Sequence, residues 1–315
     1  MTDLLAFVFP GQGSQSVGML ADHIDHPSHG QQTVVQTFTE AAEALGFDLL
    51  KLVSEGPAEE LNKTENTQPA LLTASVALWR LWLEKGGEQP AYMAGHSLGE
   101  YSALVCSGAM KFTDAVRVVR QRGLFMQEAV PARTGAMAAI LGLEDQQVVS
   151  VCLDAAQGGV VEAVNFNSPG QVVIAGEKEA VARAVELAKE AGARKAIPLP
   201  VSVPSHCALM KPAAEKLAVE LDSIELNQPV IAVIQNVTAE PCSEPEKIRE
   251  NLVKQLYSPV RWVETIQHLN TAGVTRFAEC GAGKVLAGLN KRIVRRSPVA
   301  TLESVSSFED LLGQS

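Results

Sequence analysis

Short apolar runs of strand length alternate along the chain with longer stretches whose apolar residues recur at helical spacing. The runs Leu4–Phe9, Tyr92–Gly95, Val230–Gln235, Thr275–Cys280 and Val299–Leu302 predict buried strands. Helical periodicity marks Pro69–Leu83, Thr113–Ala129 and Glu246–Tyr257, with Thr67 and Thr113 as expected N-caps. Strands separated by helices in this way predict a parallel sheet covered by helices, because such a sheet must hide both faces.

Between Thr134 and Val201 the pattern changes. A strand (GAMAAILGL), a helix (DQQVVSVCLDAAQ) and a second strand (VVEAVNF) lead into a tight Asn-Ser-Pro-Gly turn. A third strand (QVVIAG), a helix (KEAVARAVELAKEAG) and a fourth strand (RKAIPLPV) follow. This βαββαβ order is that of a ferredoxin-like unit. The expected organisation is therefore a large α/β body, residues 1–133 and 202–315, with a small subdomain inserted at 134–201.

Composition narrows the class without changing that picture. The 315 residues are 46% hydrophobic and 20% charged, ordinary for a globular protein. The opening MTDLLAFVFPGQG lacks a basic leader and a cleavage pattern, and no apolar stretch reaches the roughly 20 residues that span a bilayer, so a cytoplasmic protein with no membrane partner is expected. Five scattered cysteines without a CxxC pair predict neither a disulfide framework nor a metal site. A net charge of −10 argues against nucleic acid as a partner.

The sharpest chemical signal is Gly95-His96-Ser97-Leu98-Gly99, set between a short strand and the helix-competent EYSALVCSGAM. That is the setting of a nucleophile elbow, in which glycines permit a sharp strand-to-helix turn and the serine hydroxyl is lifted out of the sheet. The Leu98 amide, at the helix N-terminus, is then placed to stabilise an oxyanion. The loop Pro10-Gly11-Gln12-Gly13 follows a strand but has Ser16 where a dinucleotide fingerprint needs its third glycine. It reads instead as backbone able to approach a reacting centre, with Gln12 as the second oxyanion donor. GAGKVLAGL fails as a phosphate loop, since Val285 follows Lys284 where Ser or Thr is required.

A serine nucleophile needs a base, and there are six histidines. His96 adjoins Ser97 and is expected to point elsewhere at the elbow, which leaves it a substrate-contacting candidate. His268 reads as a surface residue, and His23, His26 and His29 as part of a solvated Asp-His-Pro-Ser-His connection. His206 stands between the proline-rich strand end PLPVSVPS and a helical run, either as the base or as a capping or core histidine.

At about 100° per residue, Ala115, Val118, Val119, Phe125, Met126 and Ala129 all fall within about 60° of Arg122. Arg122 therefore sits in the middle of an apolar face, with Arg117, Arg120, Gln127 and Glu128 opposite. A buried guanidinium must meet an anion, supplied by an internal Asp or Glu or by the carboxylate of a ligand. The pattern alone leaves both open.

Taken together, FPGQGSQ, GHSLGE, QRGLFMQEA, NFNSPGQVVIAG, VSVPSHC, QLYSPVRW and GAGKVLAGLNKRI resemble the malonyl-CoA:acyl carrier protein transacylases of bacterial fatty acid synthesis. The resemblance runs in order from Phe7 to Val294. It implies an α/β-hydrolase-like domain carrying a ferredoxin-like insert, with Ser97 as nucleophile and His206 as base. It places the oxyanion hole at the amides of Gln12 and Leu98, the substrate carboxylate on Arg122, and the histidine-orienting carbonyl on Gln255. Asn165 and Asn167 match asparagines near the cleft, where they either meet substrate or hold the Ser-Pro-Gly turn. The implied substrates are malonyl-CoA and the phosphopantetheine thiol of acyl carrier protein, with no metal or other cofactor, and the chain is expected to act as a monomer.

Three rivals remain at this point: a serine thioesterase or other hydrolase, a discrete acyltransferase of the polyketide-synthase type, and a carrier-binding protein without catalysis. Lys291 and Arg292, with Arg295 and Arg296, form a basic cluster that contrasts with the acidic chain. It is either a docking patch for an acidic carrier or a solvated helix end whose cations favour the dipole.

Overall fold

The computed structural model describes residues 3–26, 29–131, 134–201 and 203–314. Strands β1 (Leu4–Phe9), β2 (Tyr92–Gly95), β7 (Ala232–Ile234), β8 (Val274–Glu279) and β9 (Val299–Thr301) form a parallel sheet in the order β7-β2-β1-β8-β9. β1 is central, and it is buried on both faces. Leu5, Phe7 and Phe9 join the larger core, while Ala6 and Val8 join the core on the opposite side. Phe7 meets Trp79 and Trp82 edge-on at 5.5 and 5.4 Å. Burial of such a side chain contributes about 2 kcal/mol.

The second sheet comprises β3 (Gly135–Leu141), β4 (Val161–Ser168), β5 (Gln171–Glu177) and β6 (Lys195–Pro198), in the order β4-β5-β3-β6 with every pairing antiparallel. Helices Asp145–Ala156 and Lys178–Glu190 bury their apolar faces against it in a core of their own. Two main-chain hydrogen bonds join this sheet to the larger body: Phe166 N–H donates to the Val260 carbonyl (3.0 Å), and Val260 N–H to that of Val164 (2.9 Å). Arg133 and Ser202, where the expected division of the chain falls, lie outside the described residues.

Some local expectations are corrected. The helix read as starting near Pro69 begins at Thr64 and runs to Glu84, with Pro69 inside it; Lys63 is at its N-cap. Thr67 is interior, and its hydroxyl donates to the Leu61 carbonyl at 2.6 Å. Lys111, not Thr113, precedes the helix Phe112–Ala129. The strand expected over Val230–Gln235 is only three residues long, because the chain turns at Gln235 and Asn236.

The histidine segment is also corrected. His23 and His29 are buried, with ring centroids 5.4 Å apart and Phe308 packed against both. His26 is exposed, and residues 27 and 28 lie outside the described set. Near the other end, the amides of Leu286 and Ala287 at the start of helix Val285–Ile293 donate to the buried Glu279 carboxylate (3.0 and 2.7 Å). A phosphate has no place there, since a side chain already fills the helix N-terminus. No helix among the described residues is long and apolar enough to cross a membrane.

Candidate active site

Loops leaving the carboxyl ends of β1, β2 and β7 converge, as ligand sites do in open α/β sheets. After β2 the chain turns at Ser97, whose φ of 52° is a left-handed conformation that costs a non-glycine residue about 1 kcal/mol or more. The turn is this tight because the residues two before and two after Ser97, Gly95 and Gly99, are glycine. A Cβ on Gly95 would lie 1.8 Å from the Gly99 carbonyl carbon, and one on Gly99 would lie 2.0 Å from the Phe9 carbonyl oxygen. Helix Gly99–Cys106 starts directly behind the serine. Gly11 brings the preceding loop against the elbow: a Cβ there would sit 2.4 Å from the His96 carbonyl oxygen. The amides of Gln12 and Leu98 donate to no acceptor among the described residues.

His206 arrives from a distant loop. Its own φ of 67° is left-handed, and its amide is tied to the Leu256 carbonyl at 2.9 Å. Its Nε2 lies 2.8 Å from the Ser97 hydroxyl oxygen, and its Nδ1 lies 2.7 Å from the Gln255 carbonyl oxygen. A carbonyl only accepts, so Nδ1 carries the proton and Nε2 is free to accept the serine's. Burial, reinforced by the positive charge of Arg122, pushes the imidazole down to about 3, which keeps it neutral near pH 7.

Arg122 is buried as the helical wheel requires, among Ala115, Val118, Val119 and Met126. Of the residues placed on the opposite side, Arg117, Gln127 and Glu128 are exposed; Arg120 is half-buried instead, stacked 4.7 Å over the Phe47 ring. The Arg122 guanidinium donates to Gln68 Oε1 (2.7 Å), Gln255 Oε1 (3.1 Å) and the Ser97 hydroxyl oxygen (3.4 Å). All three partners are neutral, Nε has none, and no carboxylate among the described residues forms an ion pair with it. Of the two readings the pattern left open, this geometry favours an external carboxylate.

The remaining candidates divide. His96 turns away from Ser97, its Nε2 2.8 Å from Asn167 Oδ1 and its ring 5.5 Å from that of Trp262. Asn167 thus serves His96, while the turn is held by Ser168, whose hydroxyl donates to Gln171 (3.3 Å). Asn165 is half-buried, and its Oδ1 has no partner. Gln12 is exposed, its side chain 3.4 Å from the Thr64 hydroxyl. Lys291 and Arg292 lie exposed on the last turn of helix Val285–Ile293, where Arg292 reaches Gln171 of the second sheet (2.8 Å). Among the described residues no cluster of His, Cys, Asp and Glu is placed to hold a metal ion.

Two residues escaped the sequence reading. Asn236, fully buried, accepts from the Ser97 amide with Oδ1 (2.7 Å) and donates to the Gly95 carbonyl with Nδ2 (2.6 Å), so it clamps the elbow. Glu100, equally buried, accepts from the Asn236 amide and from Gln255 Nε2. Both carried a signal: Glu100 is the one charged residue in the buried stretch GEYSALVC, and Asn236 follows the carboxyl end of a sheet strand.

A family model described as an acyl transferase domain matches residues 6–309. The malonyl CoA-acyl carrier protein transacylase of Escherichia coli (strain K12) is 59% identical over 303 residues, which cover 96% of this chain and 97% of that protein. The transacylase of the same name from Bacillus subtilis (strain 168) is 48% identical, over 97% and 95%. Among solved structures, an acyl carrier protein S-malonyltransferase from Vibrio cholerae superposes with a TM-score of 0.95 at 57% identity, covering 98% of this chain and 100% of that one. A complex of a type II PKS acyl-carrier protein with its malonyl-transacylase gives 0.96 at 55% identity, with both chains covered in full.

Proposed function

The chain belongs to the malonyl CoA-acyl carrier protein transacylases of the acyl transferase family, and from that premise we propose how its residues carry a malonyl group from malonyl-CoA to acyl carrier protein. The observation that carries the reading is the relay from the Ser97 hydroxyl through His206 to the Gln255 carbonyl, with a buried guanidinium beside it that no carboxylate among the described residues touches directly.

Ser97 Oγ attacks the thioester carbon while His206 Nε2 takes its proton. The amides of Gln12 and Leu98 hold the resulting oxyanion, which is where free donors are most effective. The C–S bond then breaks, coenzyme A leaves as the thiol with the proton from His206, and a malonyl-serine ester remains. The phosphopantetheine thiol of the carrier reverses each step: His206 takes the thiol proton, sulfur attacks the ester, and Ser97 Oγ recovers the proton as it leaves. Arg122 grips the far carboxylate of the malonyl group throughout, with His96, Asn165 and Asn167 bordering the acyl site. The chemistry is complete without a metal or a redox cofactor, and a cytoplasmic setting matches its substrates.

In this reading the second sheet is a ferredoxin-like subdomain, residues 134–201, inserted into an α/β-hydrolase-like body at 1–133 and 202–315. Its strand order and antiparallel pairing support that description. Its Asn167 meets His96 of the larger body, so the two border the acyl site together.

Product analysis separates transfer from hydrolysis. Protein mixed with malonyl-CoA, then with holo acyl carrier protein, is expected to yield malonyl-carrier as the main product by intact mass spectrometry; free malonate as the main product would favour a hydrolase. Lys291 and Arg292 are the proposed docking residues, since an acidic carrier is steered by opposite charge. Reversing both to glutamate is expected to raise the KM for carrier about tenfold and leave that for malonyl-CoA unaltered. An unaltered KM for carrier would remove the cluster from docking.

A further inference from the structure

Glu100 is fully buried one helical turn after Ser97, and one of its two carboxylate oxygens does all the bonding. Oε2 accepts from the Asn236 amide (2.9 Å) and from Gln255 Nε2 (2.8 Å); Oε1 is buried with no partner. The two residues it holds are those that hold Ser97. Asn236 Oδ1 takes the Ser97 amide (2.7 Å), and Gln255 Nε2 also donates to the Ser97 carbonyl (3.0 Å). Gln255 Oε1 in turn accepts from Arg122 (3.1 Å), which puts one amide side chain between Glu100 and the one cation that faces it among the described residues.

We propose that Glu100 is a positioning residue that fixes the Ser97 main chain through Asn236 and Gln255, and that its negative charge competes with a malonyl carboxylate for Arg122, so that malonyl binding is accompanied by proton uptake at Glu100. The inference rests on the assignment of Arg122 to the malonyl carboxylate.

Without ligand, the charged groups buried here among the described residues are one guanidinium, Arg122, and one carboxyl, Glu100. A second carboxylate at Arg122 makes two anions share one cation in a site of low dielectric, where like charges repel strongly. The ligand carboxylate, in direct contact with the guanidinium, keeps its charge, so the internal carboxyl, one side chain further away, gives up its own by taking a proton. Burial already pushes Glu100 up to about 7, opposed by its hydrogen bonds to Asn236 and Gln255 and by Arg122, so the change falls near neutrality. The other titratable groups facing it do not compete. The Tyr101 hydroxyl, on the same helix, is pushed far up by burial, and His206, across Gln255, is held neutral. The sign is fixed: a bound anion raises the folded-state value, so the liganded protein carries more protons and affinity falls as pH rises above about 7.

The test is titration calorimetry of the Ser97→Ala protein with malonyl-pantetheine, which has no phosphates to titrate, in two buffers of different ionisation enthalpy. At pH 7.5 uptake of about half a proton per bound ligand is expected, with an affinity about fourfold weaker at pH 8.0 than at 6.5, if binding moves the carboxyl by about one pH unit. Adding Glu100→Gln keeps an acceptor oxygen in place and removes the charge; uptake and pH dependence should both vanish while binding persists. Binding without proton uptake in the Ser97→Ala protein would overturn the inference, as would uptake that survives Glu100→Gln. An Arg122→Ala control guards the premise: affinity should fall at least about tenfold, and undiminished binding would overturn the carboxylate assignment and this inference with it. If Glu100→Gln fails to fold, the two-buffer measurement on the Ser97→Ala protein still decides.

Discussion

Ser97→Ala is expected to abolish the malonyl adduct seen by mass spectrometry after mixing with malonyl-CoA, and to slow transfer to carrier protein by about 10⁴-fold or more. The size follows from the reaction having no second route. The acyl group must rest on the protein between two thiols, and among the described residues Ser97 is the one hydroxyl held against a neutral imidazole nitrogen, at 2.8 Å. The fold should survive. Alanine meets the same left-handed strain as serine at φ 52°, and the elbow is held by main-chain bonds to Asn236 and Gln255 that the hydroxyl does not enter. His206→Ala leaves the hydroxyl but removes its proton acceptor, so the adduct should form at a rate lower by about 10³-fold. A full-rate adduct in Ser97→Ala would place the nucleophile elsewhere and dismantle the mechanism.

How far the site was legible in sequence depended on whether its residues announce themselves locally. β1 and β2 start and end where their apolar runs do, since a strand buried on both faces has no polar position to blur the limits. The elbow was readable because its two glycines are required by contacts with Phe9 and with the turn itself. Arg122 was readable because one charge in an apolar stripe breaks a regular pattern. The same test, applied to the helix after Ser97, would have picked out Glu100. What stayed hidden was set by partners far along the chain. His23 and His29 look like a polar loop until Phe308 and the Leu302 carbonyl arrive to bury them. Thr67 looks like a cap, but the helix already starts at Thr64, and the Thr67 hydroxyl is spent on the Leu61 carbonyl across the preceding turn. The Gln255 side chain, which joins Arg122, Glu100 and the Ser97 carbonyl, has no local signature at all.

Arg122→Ala is expected to lower kcat/KM for malonyl-CoA by about 10²-fold while acetyl-CoA, poor from the start, loses much less. A charge-assisted contact contributes about 1.5 to 3 kcal/mol, which corresponds to one to two decades of discrimination. The protein prepares that contact in advance. Gln68 and Gln255 hold the guanidinium from two sides as neutral acceptors, so it is oriented without being neutralised, and its Nε is left unpaired. An acetyl group offers nothing to this cation and leaves it buried with neutral partners in direct contact and Glu100 only behind Gln255, a state that costs binding energy. Discrimination therefore has two parts, an attraction for the diacid and a desolvation penalty against the monoacid. Removing the arginine cancels both, so the malonyl-to-acetyl ratio is the proper readout; loss of the 3.4 Å contact from Arg122 to the Ser97 hydroxyl affects both rates together and drops out of it. Arg122→Lys keeps the charge but not the planar fork, and should recover part of the ratio. Equal losses for the two acyl groups would mean that the guanidinium serves the nucleophile alone, and selection for malonyl would have to be sought along the wall formed by His96 and Asn167.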